Sequence, residues 1–400
     1  MPRDRACPLE PPAQYRGLRI SAPLSRAVLW DGSEVWLASR YADVRQLLTE
    51  PRASANTSRP GFPFVRAGGS RARQDLMTAL PLASLDPPKH GKIRRILLSE
   101  FASRKVERRR AVIQTVVDNL IDHMEEHHRE AALSDATPVI DLVGGLALSL
   151  PSRIIAGILG VPYEDSLFQT DAALASSADP AVVAPAYRRL SVYLDDLIRA
   201  KEQDPADDLL SRLVQEHLHT GSMTRAELVA NAYQLLSAGH RTTTSMIALG
   251  TLLLIQHPDQ LARLRSDPGL ASSAVEELLR YLTVAQHVTH RVASEDLTIA
   301  GQTIRAGEAI IALIASANRD PDAFSAPDAF DIGREHNNHF AFGMGAHFCL
   351  GAALARLELQ VVFGTLFSRL PEVRLAVSPD ELKFEFDGEV FGLAALPVTW

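Results

Sequence analysis

A chain of 400 residues with 46% hydrophobic and 22% charged residues shows ordinary globular usage and is long enough to bury a core around a ligand. Its formal net charge of -7 argues against a generic nucleic-acid binder, which usually carries a basic excess. No run reaches the roughly 18 apolar residues needed to cross a membrane, and the opening MPRDRACPLEPPAQ lacks the apolar core of a signal peptide, so a cytoplasmic protein is expected.

Length alone would allow two or three domains. No Gly/Ser linker, charge block or repeat marks a boundary, and residues 1–400 read as one domain. Between 27 and 38, AVLWDGSEVWLA alternates apolar and polar residues around Asp31-Gly32, the dipeptide that favours a tight type I′ hairpin. Helical periodicity then dominates over 41–49, 88–101, 105–128, 139–158, 185–202, 206–217, 223–256, 258–266, 271–282 and 350–369. Strand-like alternation returns over 291–316 and in LKFEFDGEVFGLAALPVTW near the C-terminus, where Gly and Pro punctuation fits hairpins. The expected fold class is mainly α, with a smaller β region built from both chain ends and no doubly wound α/β alternation.

There are two cysteines, Cys7 and Cys349. A bridge spanning nearly the whole chain is not expected in a reducing compartment, and Cys7, among prolines, reads as an idle thiol. Cys349 lies in FAFGMGAHFCLGAALARLEL (340–359), a glycine-rich loop running into an Ala/Leu-rich helix. Glycines let a backbone approach a flat cofactor, amides around a sulfur tune its charge, and a helix N-terminus favours thiolate over thiol. For an isolated cysteine the plainer reading is a buried structural residue in a turn.

The spacing of Phe342, Gly345, Cys349 and Gly351 resembles the signature loop of the cytochrome P450 superfamily, and the resemblance extends over almost the whole chain. It implies a triangular helical body with a long oxygen-binding helix. It also implies heme b, iron protoporphyrin IX, with the Cys349 thiolate on the iron and Phe342, Gly343 and Gly351 packed around it. Such a thiolate pushes electron density onto iron, as heterolytic O–O cleavage requires. His90 and Arg94, one helical turn apart, together with Arg291 and His347, match the family's propionate-binding positions.

Glu277 and Arg280 match its structural Glu-x-x-Arg pair. Ala329 stands where many relatives carry an arginine that joins this pair, so another polar group is expected to complete it. NAYQLLSAGHRTTTSMIALG (231–250) resembles the oxygen-binding helix: Ala238 and Gly239 leave room for dioxygen, and Thr242, with Thr243 beside it, delivers protons. Substrate contacts are implied at Phe64, Met77, Leu235, Val284, His287 and Phe391, with Arg66, Arg71 and Arg73 adding positive charge.

One departure is chemical. Most relatives place Asp or Glu before that threonine, and this chain has Arg241, which stays charged and cannot pass a proton. The nearest upstream carboxylate on the helix is Glu227, about four turns away. Three readings stand: Arg241 faces a salt bridge and leaves proton delivery to Thr242, Thr243, His240 and water; Arg241 grips a substrate carboxylate, as in the superfamily's peroxide-driven fatty-acid oxygenases; or the oxygen chemistry is altered.

No flavin or nicotinamide motif is present, so the resemblance implies electrons from a separate ferredoxin and an NAD(P)H-dependent ferredoxin reductase. RKVERRR (104–110), with Lys89, Lys92 and Arg95, offers a basic face for an acidic partner; a solvated helix face is the alternative. CPLEPPAQYRGLR and PRASANTSRPGFP resemble actinobacterial natural-product enzymes, implying a monomeric tailoring hydroxylase or epoxidase for a small, hydrophobic, optionally carboxylate-bearing substrate. A peroxide-driven heme oxygenase and a non-catalytic heme binder are the competing functions.

Overall fold

The computed structural model describes residues 3–65, 74–133, 137–163, 179–285, 289–386 and 390–400. Helix Arg225–Gln256 runs through the centre. Thr224 starts it with a capping box, its hydroxyl accepting from Glu227 N–H while the Glu227 carboxylate accepts from Thr224 N–H. From Ser245 to Leu254 every residue is buried, as expected of a helix apolar on all sides. It packs against helices Ser149–Leu159, Pro180–Gln203, Ala271–Leu282 and Ala352–Arg369. At the last crossing a Cβ on Gly250 would stand 2.6 Å from Phe363 Cζ, so glycine sets how closely the two helices approach.

The larger sheet joins distant parts of the chain, in the order Leu24–Val28, Glu34–Ala38, Ala309–Ala312, His290–Ala293 and Ala53–Ser54. Val35 lies opposite Ala309 in its one parallel pairing, and Arg291 opposite Ile310 in the antiparallel neighbour. That strand, second from one end of the sheet, brings the buried Arg291 to the cavity that the central helix lines. Near the C-terminus Pro397–Thr399 pairs on one side with Ile140–Asp141 and on the other with Arg374–Leu375, while Phe384–Glu385 pairs with Gly392–Leu393.

The mainly helical fold with a minor β region is as expected, with local corrections. The first hairpin does not close through a type I′ turn. Gly32 has φ +82°, but Asp31 is not in the left-handed region, and that turn needs both. Leu29 N–H donates to Ser33 O at 2.8 Å across a three-residue loop, and Asp31 Oδ1 accepts from Ser33 N–H at 3.0 Å. The expected helix over 105–128 is broken into Ser103–Glu107 and Arg110–Ala131. The expected helix over 139–158 begins instead as strand Ile140–Asp141, because Leu396 O and the final strand supply its backbone partners. It then continues as a π-helical segment Val143–Ala147 before helix Ser149–Leu159. Helix Gln14–Ser21, unforeseen because no side chain caps it, buries Tyr15 and Arg19. Among the described residues no helix is long and apolar enough to cross a membrane.

Candidate functional site

Between the central helix and the cysteine loop lies a mostly apolar cavity of about 540 Å³. That volume is within the usual range for small-molecule sites, roughly 300–1,000 Å³. The loop's shape follows from its glycines. Gly343 and Gly345 take φ +69° and +72°, and a Cβ on Gly345 would sit 2.6 Å from Leu48 O, so no other residue fits there without moving backbone. Cys349 N–H donates to Phe342 O at 2.9 Å, which closes the loop and leaves the sulfur open to the cavity. Its surroundings push the thiol up by desolvation, opposed by a hydrogen bond from Gly351 N–H and by the charges of Arg94 and Arg356. Both cysteines are free thiols.

Four donors converge beside the loop. The His90 and His347 rings lie 4.2 Å apart, centroid to centroid, and His90 Nε2 is buried with no hydrogen-bond partner. Arg94 donates to Phe348 O at 2.7 Å, and the buried Arg291 guanidinium to its neighbour's carbonyl, His290 O, at 2.7 Å. Among the described residues no carboxylate forms an ion pair with Arg94 or Arg291. Burial lowers Arg291 to about 10 and, together with Arg291 and His90, takes His347 to about 3, so both imidazoles are neutral. An orphaned imidazole nitrogen and two cations outside any ion pair are what a bound group with anionic carboxylates would satisfy. Heme, whose two propionates these donors would hold and whose iron the Cys349 thiolate would bind, fits this set.

The opposite wall is the central helix, with Ala238, Gly239, Arg241, Thr242 and Thr243 lining the cavity. Thr242 Oγ1 donates to Ala238 O at 3.0 Å, four residues back. Gly239 has a second reason for its size: a Cβ would stand 2.9 Å from Ile155 Cγ1 on the neighbouring helix. His240 is turned away from the cavity. It is 4% exposed, its Nδ1–H donates to Leu236 O at 2.9 Å, and burial lowers its pKa to about 4, so it is neutral and no proton carrier for this site.

A stability consequence follows from His240. Neutral burial contributes stability fully above the unfolded-state value near 6.5 and loses it as pH falls through about 4. Replacing His240 with Gln should flatten that acid limb by at most about 3 kcal/mol, read from urea midpoints at pH 7 and pH 4.5. A wild-type and variant pair with parallel acid limbs would contradict this.

Arg241, whose role the sequence left open, donates from Nη2 to Glu385 Oε2 at 3.1 Å. Glu385 comes from the C-terminal hairpin, which crosses the helix where Gly392 meets Ser245. The pair joins segments 144 residues apart and neutralises Arg241, while Glu385 itself is not among the residues that line the cavity.

Phe64, Met77, Leu235 and Val284 line the cavity as expected. Phe391 does not: it is fully buried, stacked on Phe384 at 5.8 Å and covered by the Arg3 guanidinium at 4.4 Å, and its neighbour Val390 faces the cavity instead. Successive side chains of an extended segment point to opposite faces, so Val390, and not the Phe391 that the resemblance implied, meets the cavity. His287, Arg66, Arg71 and Arg73 lie outside the described residues.

Glu277 and Arg280 are wholly buried and joined by two bonds of 2.8 Å, and Arg280 also donates to Asn318 O, Pro327 O and Ala329 O. The group that replaces the missing arginine at Ala329 is Arg334, whose Nε donates to Glu277 Oε2 at 3.0 Å and whose Nη2 reaches Ala329 O at 3.0 Å. Sequence reasoning also passed over Glu276, which receives two bonds from Arg356 and one from His339. Its only signal was adjacency to Glu277.

A cysteine facing an apolar cavity, with an orphaned imidazole nitrogen and two arginines outside any ion pair beside it and a threonine-bearing helix opposite, fits a heme-thiolate protein. Comparison with known proteins agrees. The family description "Cytochrome P450" matches residues 186–268 and 269–392. The chain is 42% identical to cytochrome P450-SU2 of Streptomyces griseolus, covering 100% of this chain and 96% of that one. It is 43% identical to pentalenic acid synthase of Streptomyces avermitilis, with the same coverage. The crystal structure of mycinamicin VIII C21 methyl hydroxylase from Micromonospora griseorubida, bound to mycinamicin VIII, superposes with a TM-score of 0.91 at 40% identity, covering 100% of this chain and 99% of that one.

This chain belongs to the cytochrome P450 family. It is a monooxygenase, an oxidoreductase that incorporates oxygen from O2, and its cofactor is thiolate-ligated protoporphyrin IX heme.

Proposed function

We propose that this enzyme oxygenates a small, hydrophobic natural product, by hydroxylation or epoxidation, as a single-domain cytoplasmic monomer supplied with electrons by a ferredoxin and its NAD(P)H-dependent reductase. The observation that carries the reading is Cys349 Sγ facing a cavity whose far wall bears Thr242. In this reading Cys349 ligates the iron, with Phe342, Gly343 and Gly351 shaping the loop around it. His90, Arg94, Arg291 and His347 hold the propionates. When bound, heme supplies the oxygen activation, with the thiolate as electron donor to the iron.

The protein's own contribution is positional. The Thr242 hydroxyl, tethered to Ala238 O, holds a proton at the cavity wall, with Thr243 beside it. Ala238 and Gly239 keep the wall open, and Phe64, Met77, Leu235 and Val284 offer apolar contact that excludes water and orients the substrate. The natural-product class is supported by relatives named for pentalenic acid and mycinamicin chemistry.

Arg241 gives Glu385 one hydrogen bond from Nη2, which favours its salt-bridge reading; the residue also lines the cavity, so a substrate carboxylate would share its guanidinium with Glu385. The basic face is smaller than the sequence suggests. Lys89 pairs with Glu227, Lys105 and Arg109 with Glu100, and Arg110 with Glu107, which leaves Lys92, Arg95, Arg104 and Arg108 exposed for an acidic partner.

Two measurements test the reading. The dithionite-reduced, carbon-monoxide-bound protein should show a Soret band shifted far to the red; a band where histidine-ligated heme absorbs sinks the Cys349 role. Turnover of a hydrophobic substrate panel should require ferredoxin, reductase and NAD(P)H. Turnover with hydrogen peroxide alone, and none with the electron chain, would transfer the assignment to the peroxide-driven class.

A further inference from the structure

Against the Phe342 ring of the cysteine loop, three charged or polar side chains form a hydrogen-bonded unit. Arg356 grips Glu276 with both ends of its guanidinium, Nε to Oε1 at 2.7 Å and Nη2 to Oε2 at 2.8 Å. The same guanidinium lies over the Phe342 ring, its Cζ 4.5 Å from the centroid, a cation–π arrangement. His339, 2% exposed, completes the unit, its Nε2 lying 3.1 Å from Glu276 Oε2.

The His339 tautomer follows from its other neighbour. Ala341 N–H points at Nδ1 at 3.1 Å and can only donate, so Nδ1 accepts and the proton sits on Nε2, donated to Glu276. Neutral His339, anionic Glu276 and cationic Arg356 therefore sum to zero. Glu276 is held ionised, its pKa taken to about 2, since the hydrogen bonds of Arg356 and His339 outweigh the burial that would raise it.

We infer that Glu276 is a positioning residue: with His339 it holds Arg356, charge-compensated, against Phe342, and so sets the electrostatic field at the Cys349 sulfur and the reduction potential of the bound heme. The inference rests on Cys349 being the iron ligand. Fixed charge near a thiolate is one of the levers on such a potential, because one-electron reduction of the ferric centre adds a negative charge that a nearby cation favours and an anion opposes. The unit reaches the loop twice, through the ring under the guanidinium and through the Ala341 amide, which ties the residue next to Phe342 to His339.

The test is the ferric/ferrous potential of the heme-loaded protein by spectroelectrochemistry, with the carbon-monoxide spectrum of each variant recorded beside it. Glu276→Gln leaves Arg356 uncompensated and should raise the potential. Arg356→Gln leaves Glu276 uncompensated and should lower it. The double variant E276Q/R356Q restores neutrality and should return close to wild type, a cycle that isolates charge from packing.

Shifts of one sign in both single variants, or no shift in either while the thiolate spectrum persists, would overturn the inference, since loss of packing alone has no reason to change sign. Where one single variant fails to retain heme, the difference between the other and the double variant still has a required sign. A wild-type spectrum without the thiolate signature would instead overturn the Cys349 reading on which this one stands.

Discussion

Arg280→Met is expected to destabilise the folded protein by about 3–5 kcal/mol, a large part of the roughly 5–15 kcal/mol that holds an ordinary domain together. Glu277 and Arg280 are both completely buried, so the Glu277 carboxylate left behind would keep, among the described residues, only Arg334, Asn337 and the Asp331 amide as partners. Three carbonyls, of Asn318, Pro327 and Ala329, lose a donor at the same time. The measurement is a urea denaturation of variant and wild type at pH 7.

The double replacement Glu277→Leu with Arg280→Met also takes away the carboxylate that the Arg334 side chain, 8% exposed, pairs with, so it should recover little of the loss. A single variant within about 1 kcal/mol of wild type would show that the buried pair contributes specificity rather than stability.

Cys349→Ser is expected to act in the opposite way, leaving the fold nearly untouched and abolishing turnover. The sulfur faces the cavity and lies outside the apolar core, so the fold should change by less than about 1 kcal/mol, as for most substitutions that leave no cavity or buried charge. A hydroxyl oxygen cannot replace thiolate electron donation to iron. Substrate oxidation with ferredoxin, reductase and NAD(P)H should therefore fall to background, and the red-shifted carbon-monoxide band should vanish. Retained turnover in a correctly folded serine variant would remove Cys349 from the chemistry.

Set side by side, these variants separate two kinds of information in the chain. What the sequence determined unaided was local or motif-bound. Helices Tyr41–Thr49, Pro258–Ser266 and Ala271–Leu282 fall where the apolar period put them, because each carries its own amphipathic pattern. The cysteine loop was legible because Phe342, Gly345, Cys349 and Gly351 stand at the spacing of the family's signature loop. His90, Arg94, Arg291 and His347 could be named, and they do converge on one cavity.

What only the tertiary structure decided depends on partners distant in sequence. Ile140–Asp141 is a strand because the last strand of the chain offers hydrogen bonds there, which no local period reveals. Glu277 completes its pairing with Arg334, Glu276 reaches across to Arg356, and Arg241 finds its carboxylate, Glu385, in the C-terminal hairpin. His240 and Phe391 were misjudged for the same reason. Whether a side chain on a buried element faces the cavity or the core is set by what packs against its other side, and that is a property of the assembled fold.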